Sequence, residues 1–300
     1  MLASLFGNKR NMGIDNVIDS LPPLPLTVAN VIKVTTNPDS SADDLVKAIL
    51  PDQSMCASIL KMANSVLYGH SKKISSLRSA IVVLGYREVQ SIVMGKDAIS
   101  TFRQSFKENK VEIAKFWEHS FACGLAAKII AENLGLSTGQ FFMGGLLHDI
   151  GKLILFLALP GRYQPAVWMT SFSTKERLAD EKRIFSASHD VIGGRLLRKW
   201  LFPDNLIFAL EHHHCPQKSP MLDGYPLVIQ LADILSFLCC NPEFSEGRSL
   251  ITVIKEYVPD IEERWESRNL IWNPIMIESW FDWLKIDQVY GSSIMSILSV

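Results

Sequence analysis

The stretch from Phe141 to Phe156 constrains this chain more than any other. Adjacent His148 and Asp149 interrupt an otherwise apolar run, and Gly151-Lys152 follow at once. Burying an ionised carboxylate without a partner is costly. A cation beside it removes that cost, and the neighbouring imidazole is a ready second ligand. The pair therefore points to a metal site at an apolar helix end, with Gly151 letting the backbone turn away. A buried His-Asp hydrogen-bonded pair is the alternative these residues leave open, and the other histidines decide.

The rest of the composition narrows the setting. With 300 residues, 48% hydrophobic and 20% charged, the chain can bury a sizeable core in one large or two modest domains. A net charge of −1 argues against broad electrostatic binding of a nucleic-acid polymer. The five cysteines (Cys56, Cys123, Cys215, Cys239, Cys240) are odd in number and form no C-x-x-C pair, which favours reduced thiols. The apolar part of Met1 to Arg10 is too short for a signal peptide. The longest uninterrupted apolar run, Leu153 to Pro160, is far below the roughly 20 residues a membrane span needs. The expected location is the cytoplasm, without membrane contact.

Residues 1–20 read as a tail. Leu21-Pro22-Pro23-Leu24-Pro25 fixes an extended entry, and Val28, Val31 and Ile32 follow at helical spacing. Ser41-Ala42-Asp43-Asp44 resembles a capping box that starts a helix stopped by Pro51. Helical periods recur over Ile59–Leu67, Leu77–Leu84 and Glu88–Ile99, with Gly69 and Gly85 as stops. Asn64-Ser65 interrupts the first of these with groups that need hydrogen bonds, predicting a local turn or an inter-subdomain contact, and Ala57 to Gly69 is expected to pack against the core of residues 111–240 rather than form an independent domain. No alternating strand pattern is present, so the fold class is all-α.

From about Lys110 a second layer begins. Phe116-Trp117-Glu118-His119 opens a long helix ending at Gly135, with His119, Cys123, Ala126 and Ile130 on one face. Ala122, Gly124, Ala126 and Ala127 make that helix slim, so a neighbour can approach closely. Thr174 to Lys182 is a polar, charged stretch. Ser188 is a plausible N-cap that places His189 in a first helical turn. His212-His213-His214 terminates another apolar helix, and Asp233 is a lone carboxylate in the run Leu227–Leu235. Beyond Asn241, helical candidates carry Trp272, Trp280 and Trp283, with core packing their expected use.

His119, His148, Asp149, His189, the His212–His214 cluster and Asp233 thus all occupy helix ends or inward faces. Imidazole with carboxylate suits divalent iron, manganese, nickel or zinc. The donors suffice for one or two ions, a pair being bridged by one carboxylate and able to act on a phosphoryl group. Lys152 is placed to hold a phosphate oxygen, with Arg195 a second candidate at the rim. Several unrelated core polar residues are the competing explanation.

At this level the sequence resembles a known family. His119…His148-Asp149…Asp233 is similar to the H…HD…D pattern of the HD superfamily of metal-dependent phosphohydrolases. Leu21–Pro25, Lys61–Gly69, Ala80–Gly85 and Gly144–Gly151 resemble the HDOD family, the HD-related output domains of bacterial signalling proteins, over roughly residues 21–240. That resemblance implies an N-terminal helical subdomain (21–110) packed on an HD-like metal-binding core (111–240), followed by a C-terminal helical extension (241–300). It also implies a regulatory role, often without demonstrated catalysis.

By the same resemblance, His189 and His213 fall where binuclear relatives carry the ligands of a second ion. His213-His214-Cys215-Pro216 resembles the family's His-His-x-Pro segment and favours His213 over His212. Lys115 stands where some HD-GYP enzymes have a glutamate, which argues against a third ion. Asp223-Gly224-Tyr225-Pro226 lacks the neighbours of the GYP signature and reads as a turn. The expected metal ligands are His119, His148, Asp149, His189, His213 and Asp233, with Asp149 and Lys152 as catalytic candidates. The expected function is signal transduction through a phosphorylated small molecule or a signalling protein partner. The alternative is an active phosphodiesterase acting on a nucleotide or cyclic dinucleotide. The oligomeric state is left open.

Overall fold

The computed structural model describes residues 13–23, 25–64, 73–105, 110–136, 138–158, 174–220 and 224–298. Among them there is no strand, as the missing alternation requires. The first layer is α1 (Ile14–Ser20), α2 (Leu26–Thr36), α3 (Ala42–Ile49), α4 (Gln53–Ala63), α5 (Leu77–Leu84) and α6 (Tyr86–Ser105). Three of its starts are set by side-chain caps. Ser41 and Asp44 form the expected capping box, Asp52 accepts from the Met55 N–H at 2.9 Å, and Ser76 accepts from the Ser79 N–H at 3.0 Å. Gly85, at φ +82°, ends α5 in the left-handed region that favours glycine.

The second layer holds α7 (Lys110–Asn133), α8 (Thr138–Leu147), α9 (Ile150–Ala158), α10 (Thr174–Phe185), α11 (His189–Lys199), α12 (Asp204–His212) and α13 (Tyr225–Cys240). α7 is its axis, packed on α8 and α13. The slim face expected of α7 is used as such: a Cβ at Gly145 would stand 2.5 Å from the Cys123 carbonyl oxygen, and one at Gly124 would stand 2.9 Å from that of Phe142. α8 and α9 together, residues 138–158, are long and apolar enough to cross a bilayer, a property the uninterrupted run from Leu153 did not convey. Of its most apolar 18-residue window, 94% is buried inside the protein.

The expected tail is corrected over its last residues. α1 buries Val17 and Ile18 and packs on α9. It is fastened to α11 and the chain after it: Lys199 Nζ donates to the Ile18 carbonyl at 2.7 Å, and Trp200 Nε1 to that of Pro22 at 3.2 Å. Ile14, Val17 and Ile18 fall at i, i+3 and i+4, but seven residues make barely two turns, too short a run to set the element apart from a tail.

The two layers share contacts. Ser91 on α6 donates to the Gly139 carbonyl at 2.6 Å, and Glu88 lies 3.8 Å from Lys128 on α7. The C-terminal residues add α14 (Leu250–Tyr257), α15 (Ile261–Glu266) and α16 (Pro274–Leu298). α16 lies along α7 and also touches α4, α6 and α13, so it spans both layers. Trp265 and Trp280 are buried beside each other, as core packing predicts, whereas Trp283 is exposed. α4 packs chiefly on α5, α6 and α16, which corrects the expectation that this segment packs against the core of residues 111–240; residues 65–69 lie outside the described residues. At the interruption after it, Asn64 donates to the carbonyls of Leu60 and Ile74 and accepts from the Ile74 N–H, each at 2.8 Å, while Ser65 lies outside the described residues.

Candidate metal centre

Six helices bring the candidate residues to one place. His119 comes from the middle of α7 and Asp233 from the middle of α13, both on inward faces. His148 and Asp149 form the two-residue turn between α8 and α9, His189 opens α11, and His213 and His214 follow the end of α12. All six expected ligands converge.

Asp149 is the hub. Its Oδ2 lies 3.2 Å from His148 Nε2 and 3.9 Å from His119 Nε2, while its Oδ1 lies 3.1 Å from His189 Nε2 and 4.0 Å from His213 Nε2. Asp233 Oδ1 completes the first side, 3.1 Å from His119 Nε2 and 3.4 Å from His148 Nε2. His214 completes the second, its Nε2 at 2.9 Å from His189 Nε2. The donors thus form two groups: His119, His148 and Asp233 in one, and Asp149, His189, His213 and His214 in the other, with Asp149 facing both.

The rings are oriented from behind. His148 Nδ1 donates to the Gly145 carbonyl at 2.7 Å and His213 Nδ1 to that of Leu210 at 2.6 Å, each within its own helix end. Both Nε2 atoms therefore face the centre, where a cation would take the place of any proton they carry. Ser236 on α13 holds His119 Nδ1 at 3.3 Å.

The electrostatics suit a cation. Burial opposes the charge of Asp149, yet His148 and the Lys152 ammonium hold its carboxyl well below the usual carboxylate range. Burial likewise opposes Asp233, and His148 and His119 hold it low. Burial disfavours protonated His189, but Glu181 and Asp149 push it up to about 9, while burial and His148 push His213 down to about 4. His148 Nε2, Asp149 Oδ1 and His213 Nε2 are buried and have no hydrogen-bond partner among the described residues. Orphaned buried donors of this kind around a shared carboxylate fit divalent metal ions, with nitrogen and oxygen ligands in the proportions borderline metals take.

Four features differ from the sequence expectation. Lys152 is buried, with its ammonium on Asp149 Oδ2. It therefore first balances that carboxylate's charge. Arg195 is not at the rim; it points away on α11, 3.3 Å from Asp15. Gly151 is not a turn residue but lies inside α9, where its lack of a side chain admits the His189 backbone. His214 joins the centre beside the favoured His213, because the helix ends at His212 and both following residues reach inward. Glu181, on the charged stretch, accepts from His189 Nδ1 at 2.7 Å. Gly224, at φ +71°, caps α13; of the segment read as a turn, Tyr225 and Pro226 instead open that helix, and Asp223 lies outside the described residues.

An all-helical body with a histidine-aspartate centre at the junction of six helices defines the class. The model of the HDOD domain matches residues 21–216, and the chain belongs to the HDOD family. An uncharacterised protein of Treponema pallidum is 23% identical over 208 residues, which cover 68% of this chain and 39% of that protein. Ribonuclease Y of Thermus thermophilus is 29% identical over 135 residues, 45% of this chain and 17% of the enzyme. The matched region is therefore about two fifths of the length of the first relative and less than a fifth of the second. Among solved structures, a candidate signal transduction protein of Marinobacter aquaeolei shares the fold, with a TM-score of 0.70 at 19% identity over 100% of this chain and 64% of that one.

Proposed function

We propose that this protein is a cytoplasmic signal-transduction module whose centre holds two divalent transition-metal ions, bridged by Asp149, and takes a phosphorylated ligand there. One observation carries the reading: two separate donor groups face opposite oxygens of a single buried carboxylate. His119, His148 and Asp233 would hold one ion, and His189, His213 and His214 the other. Bound there, such a pair neutralises phosphoryl charge and acidifies water. The residues around it orient the donors, keep the interior otherwise apolar and set the charge balance through Lys152. The likeness to a signalling protein in fold, and the family's output-domain character, favour binding over turnover. A signalling protein partner would read the bound state.

Hydrolysis of a phosphoester is the second reading, and the complete donor set favours it together with the partial likeness to ribonuclease Y. Elemental analysis of protein purified without chelator should find two ions per chain. Titration with a cyclic dinucleotide in manganese should then show binding with weak or absent turnover. Robust turnover that disappears in His148→Ala would establish the enzyme and overturn the favoured reading. Protein with neither metal nor affinity for it would overturn both.

A further inference from the structure

The buried face of α10 contains a residue that helix amphipathicity does not explain. Among its described side chains, from Arg177 to Phe185, Leu178 and Glu181 are buried, while Arg177 and Phe185 are half-buried and the others exposed. Leu178 and Glu181 are three residues apart and share one face. Packing alone would place a second apolar residue at 181. The position instead carries a carboxylate that is 2% exposed.

Its Oε2 accepts two hydrogen bonds from one residue, the backbone N–H and the ring Nδ1 of His189, both at 2.7 Å. The first satisfies an amide at the start of α11, where Ser188 makes no side-chain cap. The second fixes the ring's tautomer and rotation, leaving Nε2 turned to Asp149 and His214. The other buried rings are held differently. His148 and His213 donate to carbonyls three residues back in their own chain segments. Their orientation is built into the local backbone, whereas that of His189 depends on a side chain from another helix.

We propose that Glu181 is a positioning residue that makes occupancy of the His189-His213-His214 ion site depend on the docking of α10, while the His119-His148-Asp233 site does not depend on it. The proposal rests on the two-ion reading above. Because coupling is reciprocal, filling the second site must also hold α10 in place by the same factor by which docked α10 tightens the ion. α10 is then the element through which the state of the centre reaches the protein surface.

Manganese titration of the full chain, followed by calorimetry, tests this. The wild type should take two ions. Glu181→Ala should keep the first affinity and weaken the second by about 10- to 100-fold, the range seen on losing such carboxylate partners. Glu181→Gln, which retains an acceptor for Nδ1–H, should recover part of the loss. Equal weakening of both ions, or none, overturns the proposal while leaving the two-ion reading intact. A wild type that binds no manganese overturns that reading and this one with it. Hydrogen exchange on the wild type needs no variant: amides of residues 174–185 should slow at the second equivalent of manganese and not at the first. Unchanged exchange there overturns the coupling even if Glu181→Ala fails to fold.

Discussion

The backbone of His189 occupies the space where a Cβ on Gly151 would stand: its carbonyl carbon is 2.8 Å from that point, and the Gly193 nitrogen is 2.7 Å from it. Backbone atoms cannot swing aside as side chains do, so α9 and α11 touch only because residue 151 is glycine. Gly151→Ala should cost about 3 kcal/mol, the upper part of the usual overpacking range. It should also separate His189 from Asp149. Urea denaturation and manganese titration of the variant check the two effects together, and wild-type stability with an intact second site would contradict the account.

Much of this centre can be read from the linear chain for one physical reason. His148-Asp149 and Asp233 sit in apolar runs, and a polar group in such a setting must find a partner. His119 follows from the helical period of α7. The same logic fails at Glu181, because a carboxylate in the charged stretch Thr174–Lys182 is indistinguishable from one on a solvated face until the helix is docked. It fails at His214 because three consecutive histidines at a helix end leave the exit direction of the chain undetermined. Arg195 shows the opposite lesson. With His189, Ile192 and Leu196 buried on α11, the helical period already turns residue 195 outward.

Removing the hub should be felt at both donor groups. Asp149→Ala takes away the carboxylate that faces four imidazoles and balances Lys152, leaving buried cationic groups uncompensated. Breaking a buried ion pair from one side costs about 3–5 kcal/mol. The variant should bind no manganese at either group and unfold at lower urea. Retained stability would mean the carboxylate does not organise the core.

Asn64 offers a prediction away from the centre. Its side chain ties the end of α4 to Ile74, bonding the Leu60 carbonyl and both backbone polar groups of Ile74. Asn64→Ala removes three hydrogen bonds at an exposed position, where water replaces part of each, so the expected loss is about 1–2 kcal/mol. Limited proteolysis should show faster cleavage within residues 65–73, with the manganese affinity of the centre unchanged. Cleavage at the wild-type rate would rule out this tie.

The first layer also contains a pH-sensitive carboxyl. Asp97 on α6 is pushed up to about 6 by burial, with the nearby Asp52 charge adding to it, from the ordinary 3.8. Beside it in sequence, Lys96 commits its ammonium to the Ser54 carbonyl and the Ser58 hydroxyl. The folded state thus holds the Asp97 proton more tightly than the unfolded state does. The associated stability is fully present below about pH 4 and is lost as pH rises through 6. Each unit of that window is worth up to about 1.4 kcal/mol. The side chain is only partly buried, so solvent screening reduces the total to about 1 kcal/mol. Asp97→Asn removes the titration and should match the wild type at pH 4 while exceeding it by about 1 kcal/mol at pH 7. The carboxylates of the centre titrate in both proteins alike, so the difference between the two urea curves isolates this one group. A variant that is no more stable than the wild type at pH 7 would show that Asp97 keeps its charge without penalty.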